Sequence, residues 1–272
     1  MFQERRVENL DYAERWMRNG LEACASPGFS VSVEADMTGC RKLVESLRTR
    51  GARVTYTHLF VHAAAKSLER HPDLHQLVLG RRRHRPGRVS IALSVAGHSF
   101  VAPVLLIKDA ARKTPVEIAA EVTAGAEATR QAQLQEFARL RRWGWLVPFG
   151  ALRRALLRFM MPRMLWTRED APALQVTGLT DMDQVTPMLL LATGVLAVGQ
   201  VREKAAVVDG KVVARMQVTL TCSVDHRVWD GRMAARFLSE VKSALEAVRP
   251  EAPLRSLAVQ PERRTACQLA RN

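Results

Sequence analysis

Cysteine is scarce and scattered: Cys24, Cys40, Cys222 and Cys267 form no CxxC pair and no Cys/His cluster. That spacing argues against a disulfide framework and against a zinc site, so no metal is expected and a reducing, cytoplasmic setting is. The opening MFQERRVENLDYAERW lacks the apolar stretch of a signal peptide. No run of about 18 uninterrupted apolar residues occurs, so no spanning helix is expected. GxGxxG and GxxxxGK[ST] are both missing, which removes the two common phosphate-loop readings. There is no internal repeat or low-complexity tract. Acidic residues are also short: 27 Asp+Glu stand against 41 Lys+Arg, a formal charge of +14. Such an excess predicts attraction to something anionic, whether phosphorylated cofactor, membrane or nucleic acid, without choosing among them. The arginines are not interleaved in a pattern that reads DNA or RNA, so nucleic acid is not an expected partner.

What is present is ordinary globular material. The 272 residues are 47% hydrophobic and 25% charged, enough for a sizeable core in one or two domains. Leu10, Ala13, Met17, Leu21 and Cys24 recur at helical spacing, and Pro27-Gly28 ends that helix. Phe29–Val33 alternates as a strand. Residues 37–50 and 57–70 read as helices, the second stopped by His71-Pro72. A basic loop from Arg81 to Pro86 leads to two apolar strands, Val89–Val95 and Phe100–Ile107, turning at Gly97. Pro115 opens a long helix to about Arg142. Leu174–Val176 and Gly194–Val201 are strands, and Asp209-Gly210 is a two-residue hairpin signal. Beyond it Met216, Val218, Leu220, Cys222 and Val224 alternate with Gln217, Thr219, Thr221 and Ser223, which predicts one apolar and one polar face. A last helix begins near Gly231. Strands and helices mix without strict βαβ alternation, which favours a layered α/β sandwich over a Rossmann fold or a barrel.

The sharpest local feature is Asp225-His226-Arg227-Val228-Trp229-Asp230-Gly231, where the cleanest strand gives way to the last helix. A histidine at a strand end can offer one ring nitrogen to a cavity while the backbone holds the other, as a general base requires. Asp230 suits a helix N-cap and could also brace the turn through an ion pair. Spacing alone favours a structural histidine before a capped helix.

The segment resembles the DHRxxDG signature of the dihydrolipoyl acyltransferase catalytic domains of 2-oxoacid dehydrogenase complexes, a family within the wider HxxxDG acyltransferases that include chloramphenicol acetyltransferase. The similarity runs on through Ser30–Asp36, through Thr57–Leu74 (THLFVHAAAKSLERHPDL), through Val89–Val104 with Val101-Ala-Pro-Val104, and through Arg112–Glu127 and Arg232–Leu245. It implies a two-layer mixed-sheet α/β sandwich of the chloramphenicol acetyltransferase type, assembled as a homotrimer with its active sites between subunits. It further implies acyl transfer from a thioester, acyl-CoA as substrate, to a small-molecule acceptor. His226 would be the general base and Asp230 the brace, paired with Arg5, Arg6, Arg15 or Arg18. Thr177, in Leu174–Thr180, takes the place of the family's serine or threonine oxyanion donor, although the asparagine after it has become Gly178. Arg227 reads as structural, and His58, His62, His71, His75, His84 and His98 match no catalytic position. No lipoyl-type Asp-Lys-Ala loop is found, so no lipoyl domain is expected in this chain and a free acyl thioester is the expected donor. A non-catalytic trimeric scaffold or partner-binding core is the rival reading.

The expected organisation is a catalytic domain over 1–248 and a flexible basic tail over 249–272. Within the domain, 138–168 departs from the resemblance. It carries eight arginines and no acidic residue, interleaved with Trp143, Trp145, Phe149, Phe159, Trp166 and several Leu and Met. Pro148 and Pro162 are expected to break it into short helices. A lid over the substrate, a peripheral membrane contact and an oligomer contact all fit that composition.

Overall fold

In the computed structural model, which describes residues 10–24, 26–79, 82–97, 101–166, 170–190 and 192–249, the elements follow the hydrophobic pattern closely. In chain order they are α1 (Tyr12–Cys24), β1 (Gly28–Asp36), α2 (Thr38–Thr49), α3 (Tyr56–Arg70), β2 (Leu77–Leu79) and β3 (Arg82–His84). Then come β4 (Ile91–Ser94), β5 (Val104–Ile107), α4 (Pro115–Trp143), α5 (Gly150–Trp166) and β6 (Leu174–Gly178). The chain continues with β7 (Gly194–Val198), β8 (Arg202–Val208), β9 (Lys211–Asp225) and α6 (Gly231–Glu246).

Local chemistry sets several boundaries. α4 starts where Thr114 and Glu117 cap reciprocally: the Thr114 amide donates to the Glu117 carboxylate at 2.7 Å and the Glu117 amide to the Thr114 hydroxyl at 3.3 Å. Pro115 occupies the first turn, where no helical partner is lost. The β8–β9 turn places Asp209 at φ 50° and Gly210 at φ 76°, the left-handed pair that a two-residue hairpin needs.

Seven strands form one mixed sheet in the order β1-β9-β7-β6-β4-β5, with β8 also paired to β9. β4, β6 and β7 run parallel to their neighbours in that trio; the other pairings are antiparallel. α2, α3 and α6 cover one face, and the core lies between them and inward residues such as Ile91, Leu174, Leu196, Leu220 and Val224. Each such side chain contributes about 1.5–3 kcal/mol by leaving water. This is the expected two-layer sandwich.

Two expectations need correction, and one predicted face proves to be covered. The basic loop after Leu79 is half of a small hairpin, β2 with β3, pairing Leu77 with His84. Three-residue strands are too short for period-two alternation to register. Pro148 does separate α4 from α5, but α5 continues through Pro162, because a single missing amide does not outweigh the turns on either side. The polar face of β9 is not solvated: Thr219, Thr221 and Ser223 are buried too. The stretch from Met182 to Leu189 runs across it, its carbonyl at Met182 accepting from the Gln200 amide at 2.8 Å and Leu189 seated against Gly28.

Candidate active site

β9 runs antiparallel between β1 and β7 to Asp225, which pairs with Gly28 at the end of the sheet. His226 is the next residue. Its amide donates to the Pro27 carbonyl at 3.0 Å, and its ring stands edge-on to Phe29 with centroids 4.9 Å apart. The ring is exposed. Among the described residues neither of its nitrogens has a hydrogen-bond partner, so the backbone contact expected to fix its tautomer is not made.

The turn beneath it is rigid. Asp225 is 1% exposed, and its carboxylate takes the Arg227 guanidinium through two atoms, Nε at 2.9 Å and Nη2 at 2.5 Å. It also accepts from the Arg227 amide at 2.9 Å, and its carbonyl accepts from the amides of Val228 and Trp229. The same carboxylate raises the Arg227 pKa above the ordinary value by hydrogen bonding. Arg227 also reaches Ser26. Trp229 is fully buried against Phe237, anchoring the start of α6. The structural reading of Arg227 therefore holds, and Asp225 emerges as a site residue that sequence reasoning passed over. An acid two residues before an arginine at a strand end was the available signal.

Asp230 caps α6, its Oδ1 accepting from the Met233 amide at 2.7 Å. Among the described residues the expected ion pair is not seen. Arg15 lies over Tyr12 and donates to the Leu10 carbonyl, Arg18 pairs with Glu22, and Arg5 and Arg6 lie outside the described residues. Arg15 and Arg18 thus turn to partners within their own segment.

Thr177 is on β6, half-buried, in register with Ala197 of β7, itself opposite Thr221 of β9. Five residues of strand and two strand spacings thus separate it from His226, roughly 15–20 Å. The two cannot meet within one chain. Two cavities among the described residues lie elsewhere. One of about 250 Å³ sits between α1 and α4, lined by Met17, Pro103, Arg130, Gln133 and Phe137. Another is bounded by Asp36, Lys42, Arg215 and Glu246. Neither touches His226 or Thr177.

The other histidines have structural tasks. His58 accepts the Thr55 amide at 3.0 Å, and His62 is 2.8 Å from the Lys113 carbonyl. His71 pairs with Glu240 at 2.9 Å. Burial lowers the pKa of His58 and His62 and pushes His75 down to about 4. His98 lies outside the described residues. Cys40 and Cys222 are free, buried thiols whose pKa burial pushes up to about 12, so neither offers a thiolate nucleophile. Among the described residues no cluster of His, Cys, Asp and Glu could hold a metal ion.

Comparison with known proteins places this geometry. The family model of the 2-oxoacid dehydrogenases acyltransferase (catalytic domain) matches residues 3–138 and 174–254, passing over the arginine-rich stretch. A Bacillus subtilis lipoamide acyltransferase component of branched-chain alpha-keto acid dehydrogenase complex is 26% identical over 208 residues, covering 74% of this chain and 41% of its own. The chain thus spans less than half the length of that relative. A probable dihydrolipoamide acetyltransferase from Listeria monocytogenes superposes with a TM-score of 0.71 at 19% identity, over 92% of this chain and 98% of that one. A truncated 2-oxoacid dehydrogenase catalytic core from Thermoplasma acidophilum gives a TM-score of 0.68 at 22% identity, over 91% and 100%. These two share its fold. Because the family match takes in most of the chain and ends beyond the His226 turn, the chain belongs to the 2-oxoacid dehydrogenase acyltransferase family, in the part that forms its catalytic domain.

Proposed function

We propose that this chain catalyses acyl transfer between a thioester, acyl-CoA in the first place, and a small thiol-, hydroxyl- or amine-bearing acceptor, with His226 as the general base. The observation that carries the reading is the placement of His226. Its ring is exposed at the sheet end, directly beyond a buried aspartate–arginine clamp that fixes the backbone below it. A structural histidine has no need of that exposure. A base that takes a proton from an incoming nucleophile does.

The site is completed by a second chain in this proposal. Thr177 lies too far from His226 in the same chain, so the hydroxyl that donates to the developing oxyanion comes from a neighbour in a homotrimer. Such a donor stabilises the transition state by about 3 kcal/mol. Asp230 acts through the helix it caps, holding the turn that aims His226. Acyl-CoA as donor is supported by the family and by the arginine surplus, since guanidinium groups suit phosphates. The catalytic domain is assigned to 1–248, with 138–168 inserted in it.

The test measures acyl transfer from acyl-CoA to dihydrolipoamide. His226→Ala is expected to lower kcat/KM by about a thousandfold, and Thr177→Val by about a hundredfold or more, with Thr177→Ser close to wild type. When the two inactive variants are dissociated and reassembled together, about a quarter of shared sites regain both groups, and activity returns in proportion. Unchanged rates in His226→Ala would remove the histidine from the mechanism. Trimers containing both variants that recover nothing would show that the site is not shared. If wild-type trimers transfer no acyl group at all, the scaffold reading stands in its place.

A further inference from the structure

α5 is packed the wrong way round for a helix whose two sides are protein and water. Arg153 is 5% exposed, donating to the Asn19 side chain at 3.1 Å and to the Val147 carbonyl at 3.1 Å. Phe149, Leu152 and Phe159 are 70%, 53% and 61% exposed. Leu152 and Phe159 are seven residues apart and so share one stripe of the helix. Immediately before α5, Trp145 and Leu146 are 53% and 58% exposed. α1 fastens the assembly from the other side: Trp16 donates to the Gly144 carbonyl at 3.2 Å, and Asp11 and Glu22 pair with Arg141 and Arg154. The helix is therefore held to α1 through Arg153, Arg154 and Leu157, while Leu152 and Phe159 on its other side stay largely exposed.

We propose that this apolar side of α5, with the Trp145–Phe149 turn before it, is a docking surface for an anionic lipid bilayer. Charge selects the occupant. From 138 to 168 the chain has eight arginines and no acidic residue. Arg142, stacked on Trp143, and Arg158 have no carboxylate partner among the described residues. Apposing a second copy through this face would bring two arginine-rich segments together, whereas anionic headgroups accept the cations while the acyl boundary accepts Phe149, Leu152 and Phe159. Trp at the edge of such a face suits the headgroup level. Among the described residues no helix is long and apolar enough to cross a membrane, so α5 lies on the bilayer. The family model passes over 139–173, so this surface is separate from what makes the chain a member of its family.

The experiment uses the full chain with vesicles of phosphatidylcholine alone or mixed with phosphatidylglycerol, at low and high salt. Co-sedimentation is expected with the anionic vesicles, weakening with salt, together with a blue shift of tryptophan emission. Because a chain of +14 adsorbs to anionic surfaces in any case, the deciding variant preserves charge. Phe149→Ser/Phe159→Ser is expected to lose about tenfold or more in vesicle affinity, with circular dichroism and acyl-transfer rate unchanged. Arg142→Ser/Arg158→Ser is expected to flatten the salt dependence. No binding to anionic vesicles by the folded wild type overturns the proposal. So does equal binding by the phenylalanine variant, which would leave only net charge at work. A change in oligomer mass caused by that variant, without any change in vesicle binding, would assign the face to another copy.

Discussion

His226 is held by what lies around it rather than by bonds to its own ring. The Pro27 carbonyl fixes its amide, Phe29 limits its ring, and the Asp225–Arg227 clamp sets the backbone on which it stands. One step further back the support reaches His75. The Asp225 amide donates to the Thr193 carbonyl, and the Thr193 hydroxyl donates to the Gln76 carbonyl at 2.8 Å. His75 is 6% exposed, and its pKa is pushed from 6.5 to about 4, first by burial and then by the nearby His84. Its folded-state pKa is depressed, so between pH 6.5 and pH 4 the unfolded chain binds a proton that the folded chain refuses. Stability is expected to fall as pH drops through that window, with His75 contributing at most about 3 kcal/mol, and to be unaffected by it above pH 6.5. Urea midpoints at pH 7 and pH 4.5 check this. The loss on acidification should be smaller in His75→Phe; an equal loss would assign it to other groups.

Among the elements, β9 organises the site, because it pairs with β1, β7 and β8 and ends at His226. Its partner changes from β7 to β8 across Gly199–Val201, where the chain gains one residue over the register and bulges. A Cβ at Gly199 would stand 2.0 Å from the Asp183 carbonyl oxygen and 3.1 Å from that of Met182. Both are backbone atoms that cannot swing aside. Gly199→Ala is therefore expected to destabilise by about 3 kcal/mol or more, against little change for Gly87→Ala, where nothing lies within 4 Å. Chemical denaturation of the two variants reads the difference, and similar midpoints would mean that the Met182–Leu189 stretch can lift off β9. α5 teaches a complementary lesson, since its composition announces an amphipathic helix but its packing decides which side is turned inward.

At the scale of the whole molecule, the candidate base and the candidate oxyanion donor stand roughly 15–20 Å apart across the sheet, and the cavities described above touch neither. A chain that carries both groups yet cannot join them calls for a second copy. Light scattering is expected to give about three times 30.4 kDa. A monomer at micromolar concentration that still transfers acyl groups would overturn the shared site.

Much of the fold is written in local pattern. The alternation of β9, the apolar stripe of α3, the Thr114-Pro115 start of α4 and the Asp209-Gly210 turn each depend on neighbours within a few residues, so the sequence alone determines them. The DHRVWDG stretch is likewise local, which is why His226 could be singled out before any coordinates. Contacts between distant segments leave no such periodic trace. Only the tertiary structure decided that Asp225 is buried under Arg227, that Arg15 and Arg18 bond within their own segment and not to Asp230, and that the polar face of β9 lies under another stretch of chain. It alone set His226 and Thr177 two strands and several residues apart in one sheet, because strand order and register arise from pairings hundreds of ångströms apart along the extended chain but a few ångströms apart in space.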